Sequence, residues 1–596
     1  MIHLFSGCRV HLKRSISFVA STVGELAAST TVKDPVTVNG WVLRSQKFGK
    51  MLFVRLYDGL SPSNIQVIVP RNVCKSLAVG SAVRIDGRWK PSQGSEQMME
   101  LEASSIQILA SDDKPIYEEN SPDVLREQVH LRVKHPGFSA LLRMRSLLFS
   151  HLHSFYQKNG FIYIDAPALT SNDCEGAGET FSVQASKANF FGSEKHMYLS
   201  VSGQLHLEAM ANGLSRVYSF GNIFRADIQQ FSRTHMSEFR MLEVEVAFCD
   251  SLDEICSMVE ECIQSAVEFV RVHQIELHLI KSFQKEKNDS FCDEWLFNSK
   301  PFPRIRYSDA LKILEQHGQA SKNAGLSKTN ELFLVSHFRS PVFITHFPTE
   351  AKPFYMKRTS DGLTESFDLL MPIAGEVVGG SVREENSQLI AEGNPDKEHL
   401  NWYSEIRRRG KPISAGFGIG FDRLVQSLTG VNNIRDTIPF PRMVKIKNKY
   451  ALVQLLTDEA KCKLQPLNIY REIMQLISEM HGDLGFSKSA RLIVKVADND
   501  IFVVRTPKDG ADVTLSALPF LRSVKGVRVV CNTLFVGRSI RSLEKRLITI
   551  RRKELAGRLS HCKSLYEKRK LLEALKSVTG RIKFDQTESS DEEDTP

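Results

Sequence analysis

Gly416-Phe417-Gly418-Ile419-Gly420-Phe421-Asp422-Arg423-Leu424 reads as a glycine-rich strand entering a helix, and the class of that strand decides the fold. No Gly-Lys-Ser/Thr follows it, so it is not a P-loop, and it lacks the spacing of a dinucleotide-binding GxGxxG turn. The block around it, residues 137–441, mixes helical and strand patterns without a βαβα rhythm. An antiparallel α+β sheet is therefore expected rather than a Rossmann fold. Two upstream stretches belong with it. One is Gly160-Phe161-Ile162-Tyr163-Ile164-Asp165-Ala166-Pro167, a strand closed by proline. The other is Phe224-Arg225-Ala226-Asp227, followed by a loop and His235-Met236-Ser237-Glu238-Phe239. Taken singly, an arginine in a strand is most simply a surface ion pair, and glycines are most simply turns.

Toward the N-terminus, residues 36–110 alternate apolar and polar positions, with Asp58-Gly59 and Asp86-Gly87 among the turns. Short strands at this density predict a small OB-type β-barrel at 34–112, a fold that often binds single-stranded nucleic acid. Residues 113–136 read as a polar linker. Before Glu25 there is no acidic residue, while Arg9, Lys13, Arg14 and several serines are present. That composition is expected of a mitochondrial transit segment, placed at 1–33.

Across all 596 residues, 42% are hydrophobic and 25% charged, a globular profile that excludes collagen-like, coiled-coil and wholly disordered chains. At about 100–200 residues per domain, three to five domains are expected. No run approaches the roughly 18 consecutive apolar residues of a membrane span, so no membrane partner is expected. Ten cysteines without a CxxC pair read as reduced, buried thiols. The net charge of +9 is uneven. Residues 442–586 carry 30 Lys+Arg against 14 Asp+Glu, the last ten residues carry five acids and no base, and residues 1–441 sit near −2. A basic block of this kind points to a polyanion partner.

In their order along the chain, the three stretches match the three motifs of class II aminoacyl-tRNA synthetases. Longer matches narrow the resemblance: Ser171 to Glu179, Ser202-Gly203-Gln204-Leu205, Leu214 to Gly221, Lys352-Pro353-Phe354-Tyr355-Met356, Gly375 to Glu384 and Asn432 to Pro441 are similar to asparagine–tRNA ligases over about residues 35–441. The resemblance implies a catalytic domain at 137–441 that joins asparagine to its tRNA through an asparaginyl-adenylate, with ATP as substrate, Mg2+ as cofactor and a homodimer as the assembly. It implies that Arg225 holds the α-phosphate and Arg423 the γ-phosphate, as planar charged forks do well. By the same resemblance Phe239 would stack on adenine, with Asp227, His235, Glu238, Gly418 and Gly420 completing the ATP site. Asp368 and Glu376 are hard oxygen ligands for Mg2+, and Glu175, Gln204, Glu243 and Arg383 line the amino-acid pocket. Phe53 and Gln66 in the barrel match the positions that stack on and hydrogen-bond the anticodon's central base in this family.

Asparagine is set against aspartate by charge. In the related aspartate enzymes a lysine lies three residues after the glutamine corresponding to Gln204, where it meets the substrate carboxylate. Leu207 stands there in this chain. An apolar residue does not offset the cost of desolvating a second carboxylate, which favours the neutral amide; an aspartate–tRNA ligase is the alternative reading. The chain departs from the family pattern at Asp227 and Asp422, where glutamate is usual, at Ile413, where histidine is common, and in a loop one residue longer, with Arg233 and His235 two apart.

From Met443 an unrelated unit begins, resembling the small protein subunit shared by ribonuclease P and ribonuclease MRP. Its order reads as helix, strands, helix, strand and a basic helix carrying Lys545, Arg546, Arg551, Arg552 and Lys553, which suits a small α/β sandwich over 443–586. It holds no carboxylate cluster, His/Cys site or nucleophile constellation, and the resemblance implies a non-catalytic part bound to the ribonuclease RNA and proteins in precursor-tRNA processing. A principal role as that ribonuclease subunit is the second alternative. Residues 587–596 read as a solvated acidic tail. The leader points to the mitochondrial matrix and the second unit to the nucleus or nucleolus. With no Gly/Ser/Pro linker between the units, the junction fits either two joined reading frames or one bifunctional chain.

Overall fold

The computed structural model describes residues 20–94, 97–117, 120–171, 180–184, 197–226, 235–284, 301–319, 325–393, 400–441, 448–457, 465–489, 492–496, 501–507, 510–537 and 540–559, with a few more up to 572. The sequence-predicted residues Glu175 and Asp227 lie outside the described residues, as do residues 1–19 and the acidic tail. The chain divides into two compact units, Met1–Met443 and Val444–Pro596.

The first unit opens with a closed barrel of β1 (Lys33–Phe48), β2 (Met51–Tyr57), β3 (Ile65–Pro70), β4 (Ala82–Pro91) and β5 (Met99–Ala110), in the order β1-β2-β3-β5-β4. Period-two alternation builds it. In β3 Ile65, Val67 and Val69 are buried while Gln66 and Ile68 face outward. The helix Val23–Ala27, held by a Thr22/Glu25 capping box, inserts Val23 and Leu26 into the barrel core, both 0% exposed. The end of the segment read as a leader is thus part of the barrel, because a removable segment does not carry the barrel's own core residues. The predicted linker, over its described residues, carries structure of its own. It holds the helix Pro122–Glu127 and a turn in which buried Arg132 donates to the backbone oxygens of Arg435 and Pro439, at 3.0 and 3.2 Å.

Strands β6 (Ile162–Tyr163), β7 (Leu169–Thr170), β8 (Ser182–Val183), β9 (Met197–Leu199), β10 (Arg216–Phe224), β11 (Glu238–Ala247), β12 (Arg304–Arg306), β13 (Val342–Thr345), β14 (Ser366–Met371), β15 (Gly375–Val382) and β16 (Ser414–Gly420) follow. Eight of them form one sheet in the order β12-β13-β14-β15-β16-β11-β10-β6, antiparallel except at its two edges, as the α+β reading expects. The helix Pro136–Lys158 backs the sheet. Pro136 occupies its first turn, His135 caps it by accepting from Gly137 N–H at 3.0 Å, and Leu141, Met144, Leu148, Leu152 and Tyr156 recur at helical spacing as its buried stripe.

The second unit pairs β17 (Asn448–Leu456), β18 (Ile493–Val496), β19 (Ile501–Pro507) and β22 (Val530–Gly537) in the order β18-β19-β17-β22, with β20 (Ser523–Val524) and β21 (Val527–Arg528) as a separate ribbon. Alternation covers both faces. Val453, Phe502 and Val504 pack against Ile469, Ile473 and Ile477 of the helix Pro466–Ser489, while Leu452 and Val503 pack against Leu543 and Leu547 of the helix Ile540–Leu559. The unit therefore opens with a strand where the sequence order was read as starting with a helix: the apolar run from Tyr450 is central to the sheet.

Candidate active site

Three adjacent strands of the large sheet, β15, β16 and β11, form the floor of a cavity of about 330 Å³. The glycines of β16 make it possible. A Cβ on Gly416 would lie 2.0 Å from Glu245 Oε2 and 2.5 Å from Arg383 Nη2, and one on Gly418 would lie 2.4 Å from Met241 Cε. Bare backbone on one face leaves room for the charged side chains of the neighbouring strands, while Phe417 and Ile419 enter the core on the other.

Gln204, Arg225, His235, Phe239, Glu243, Asp368, Glu376, Arg383, Gly418, Gly420 and Arg423 all line this cavity. Glu238 does not: at the start of β11 its carboxylate accepts from Asn222 Nδ2 at 3.3 Å. Phe53 and Gln66 are on the outward face of the barrel, two register steps apart on paired strands, and Phe53 meets the exposed Phe48 edge-on at 6.4 Å.

One end of the cavity brings together Arg225, Phe239, Arg423, Asp368 and Glu376. Arg225 follows the last residue of β10, its N–H donating to Ser237 O at 3.0 Å, and its guanidinium stands 5.7 Å from the Phe239 ring centroid. Arg423, in the first turn of the helix Phe421–Thr429, donates from Nη1 to Glu376 O at 2.8 Å. Asp368 and Glu376 face each other across Gly379, whose Cβ would lie 3.5 and 3.4 Å from their oxygens. Burial, partly opposed by Lys352 and reinforced by Glu376, pushes the Asp368 carboxyl up to about 6. Two carboxylates beside an open cavity are a donor set that fits Mg2+, which takes one or two protein carboxylates and fills its remaining positions with water and phosphate oxygens.

The other end is lined by buried polar groups. Glu243 accepts from Ser202 Oγ at 2.5 Å and from Gly203 N–H at 3.0 Å; burial raises its carboxyl, and these bonds oppose the rise. Arg383 donates from Nη2 to Glu245 Oε2 and from Nη1 to Ser381 Oγ, both at 2.8 Å. Leu207 closes the wall, 1% exposed. Behind Arg383 lies Glu208, fully buried and touched by Arg407, Lys411 and Tyr403. Burial raises its carboxyl, but Arg407, Lys411 and Arg383 outweigh that and hold it down to about 2.

Sequence reasoning did not assign Lys352, Glu208, Glu245, Arg407 or Lys411. Two had a local signal. Glu245 follows Glu243 at period two on β11, and Glu208 follows Gln204 by one helical turn. Lys352 opens one of the matched stretches but had no role assigned, and Arg407 and Lys411 had no signal, because their partner Glu208 is remote in the chain.

Comparison with known proteins bears on both units. The family of class II tRNA synthetases for D, K and N matches residues 121–444, and the OB-fold nucleic acid binding domain matches 36–109. The Rpp14/Pop5 family matches 449–548. The chain is 38% identical over 435 residues to asparaginyl-tRNA synthetase of Mus musculus, a match covering 68% of this chain and 90% of the mouse protein. It is 39% identical over 438 residues to asparagine–tRNA ligase of Microcystis aeruginosa, covering 68% of this chain and 95% of the relative. Among solved structures, asparaginyl-tRNA synthetase from Pyrococcus horikoshii complexed with asparaginyl-adenylate aligns with a TM-score of 0.62 and 29% identity, covering 69% of this chain and 95% of that one. With the sheet, the barrel and the cavity already described, these matches place the chain in the class II tRNA synthetase family, as an asparagine–tRNA ligase.

Proposed function

We propose that the cavity of the first unit performs both half-reactions of asparagine–tRNA ligation, and that the second unit is a non-catalytic RNA-binding part. A carboxylate oxygen of asparagine attacks the α-phosphorus of ATP, the bond to the bridging oxygen breaks, and pyrophosphate leaves. The terminal hydroxyl of the tRNA then attacks the adenylate's carbonyl carbon; AMP departs and the hydroxyl proton passes to solvent. The substrates bring the nucleophiles, so the protein's work is positioning and charge stabilisation. Arg225 binds the α-phosphate, Arg423 the γ-phosphate, and Phe239 the adenine face. Gln204, Glu243 and Arg383 orient asparagine. Asp368 and Glu376 hold Mg2+, which when bound neutralises phosphate charge. Phe53 and Gln66 read the anticodon.

The observation that carries this reading is the convergence of Arg225, Phe239, Arg423, Asp368 and Glu376 with Gln204, Glu243 and Arg383 on one cavity. The test is Arg225→Ala: asparagine-dependent ATP–pyrophosphate exchange is expected to fall by about 10²–10³, the usual effect of removing one donor from a developing charge. Exchange at the wild-type rate in a folded variant overturns the assignment.

The assembly is proposed as a homodimer through the catalytic domain, with a solution mass of twice 67.3 kDa by light scattering. For the second unit, support comes from its basic balance, from Arg541, Lys545, Arg546, Arg551, Arg552, Lys553 and Arg558 on the helix Ile540–Leu559, and from the Rpp14/Pop5 match. Co-purification of ribonuclease P or MRP RNA with the second unit tests it, and absence from that particle refutes it. The acid-poor leader supports the mitochondrial matrix for the synthetase, and the second unit is proposed for the nucleus or nucleolus. Immunoblots of fractionated extract, with one antibody to each unit, separate a single chain of 67.3 kDa from two shorter products.

A further inference from the structure

Glu208 is 0% exposed on the helix Gln204–Leu214, one turn after Gln204, and no part of it lines the cavity. Its Oε1 accepts from Gln204 Nε2 at 3.1 Å and from the Tyr403 hydroxyl, and lies 3.8 Å from Arg383 Nε. Its Oε2 accepts from Arg407 Nη2 at 2.7 Å and stands 3.6 Å from Lys411 Nζ. One buried carboxylate therefore touches two side chains of the amino-acid end, Gln204 and Arg383, and two cations behind them.

Glu208 and Glu245 face Arg383, Arg407 and Lys411, whose charged side chains are all buried. Arg383 already lies between two carboxylates, so its charge is satisfied before substrate arrives. A neutral side-chain amide can still take a hydrogen bond there. A second substrate carboxylate would have to shed its water and find no uncompensated cation, a cost that buried charges meet only when paired. Leu207 removes one cation from the wall; Glu245 at 2.8 Å and Glu208 at 3.8 Å flank the one that remains.

Resting on the amino-acid site proposed above, we infer that Glu208 is a positioning and specificity-determining residue: its charge completes, beside Glu245, the neutralisation of the arginine of the pocket, so that asparagine is preferred to aspartate, while its hydrogen bond sets the orientation of Gln204. Specificity of this kind comes from what is withheld from the competitor as much as from what is offered to the substrate.

The test compares asparagine- and aspartate-dependent ATP–pyrophosphate exchange in the full chain. In Glu208→Gln the cluster gains one net positive charge, and the ratio of kcat/KM for asparagine over aspartate is expected to fall at least tenfold, with aspartate activation rising and KM for ATP unchanged. In Glu208→Gln/Lys411→Met the cluster returns to its original net charge, and most of the preference is expected to return, a rescue that a purely structural role does not provide. An unchanged ratio in folded Glu208→Gln overturns the inference. Should that variant fail to melt cooperatively, Glu208→Asp is read instead. It keeps the charge but draws it away from Gln204, so preference should survive with a raised KM for asparagine, and lost preference in a folded protein overturns the proposal. Arg225→Ala separates the two levels. If it abolishes exchange while Glu208→Gln leaves selectivity intact, only this inference fails; if it leaves exchange intact, the site reading itself fails.

Discussion

Lys352 holds its ammonium nitrogen 2.7 Å from Asp368 Oδ1 and 2.8 Å from Oδ2, with the Phe347 ring centroid 3.9 Å away on its other side. A cation from the loop before β14 thus caps a carboxylate proposed to hold Mg2+. Its removal leaves Asp368, which faces Glu376, without its paired cation. Lys352→Met is expected to destabilise the catalytic domain by about 3 kcal/mol, the usual cost of breaking a buried pair. Millimolar Mg2+ should restore part of the loss. Thermal melts with and without Mg2+ check this; a variant that melts like wild type and ignores Mg2+ would remove Asp368 from the metal site.

Arg143 joins the barrel to the catalytic domain. Nε and Nη2 each donate to Glu276 at 2.9 Å, while Nη1 donates to Gly59 O at 2.9 Å and to the Tyr57 hydroxyl. Arg143→Ala loosens the anticodon-reading barrel without touching the cavity. Asparagine-dependent exchange should stay within about twofold of wild type while KM for tRNA rises by about tenfold, a loss of about 1.4 kcal/mol of positioning. Equal losses in both assays would count against a role confined to the barrel.

Gly416 is placed where no side chain fits. The Cβ of Gly416→Ala would meet Glu245 Oε2 at 2.0 Å, Val244 O at 2.4 Å and Arg383 Nη2 at 2.5 Å. Overpacking of this kind costs about 1–3 kcal/mol, and it falls on the ion pair that orients Arg383. Chemical denaturation should show the lost stability and exchange kinetics a raised KM for asparagine, with KM for ATP little changed.

Leu207→Lys would put a cation into the wall of the amino-acid end. Aspartate activation is expected to rise and asparagine activation to fall, shifting their ratio by at least about tenfold, the scale on which a site discriminates through one buried contact. Parallel exchange assays decide it; a ratio unmoved in a folded variant would mean that the wall does not read side-chain charge.

The pH dependence of Glu208 has a definite sign. Burial acts to raise its carboxyl, but Arg407, Lys411 and Arg383 outweigh it and depress the folded-state value to about 2, against an ordinary 4.5. The unfolded chain binds the proton first on acidification, so Glu208 contributes stability above about 4.5 that is lost progressively as the pH falls toward 2. Wild type and Glu208→Gln should differ most in denaturant midpoint near pH 7, draw together below about pH 4.5 and converge only as the pH approaches about 2. A constant gap over that range would falsify the charged assignment.

The elements of this protein were legible where the signal is local. Period-two alternation predicted the barrel, and the glycine-rich stretch from Gly416 was read as a strand entering a helix, which it is. Phe224-Arg225 and Phe239 sat in recognisable motifs, and the cavity brings them together. Local pattern misled at three places. The end of the leader supplies barrel core, the polar linker is pinned by Arg132, and the basic unit opens with a strand. In each case the decisive contact is with residues that local periodicity does not see.

The sequence by itself determined the fold class, the order of the units, the class II synthetase family and the residue types of the reaction, because these depend on spacing along the chain and on side-chain chemistry. Only the tertiary structure decided which charges are spent on one another. Arg383 meets Glu245 across 138 residues of sequence, Arg407 meets Glu208 across 199, and Lys352 takes Asp368 across the mouth of β14. Those pairings follow from the order in which strands stack in the sheet and from burial, which obliges each ion to find a partner. They leave Leu207 and an arginine paired with Glu245 in the wall of the cavity, at the end proposed to read the side chain of the substrate.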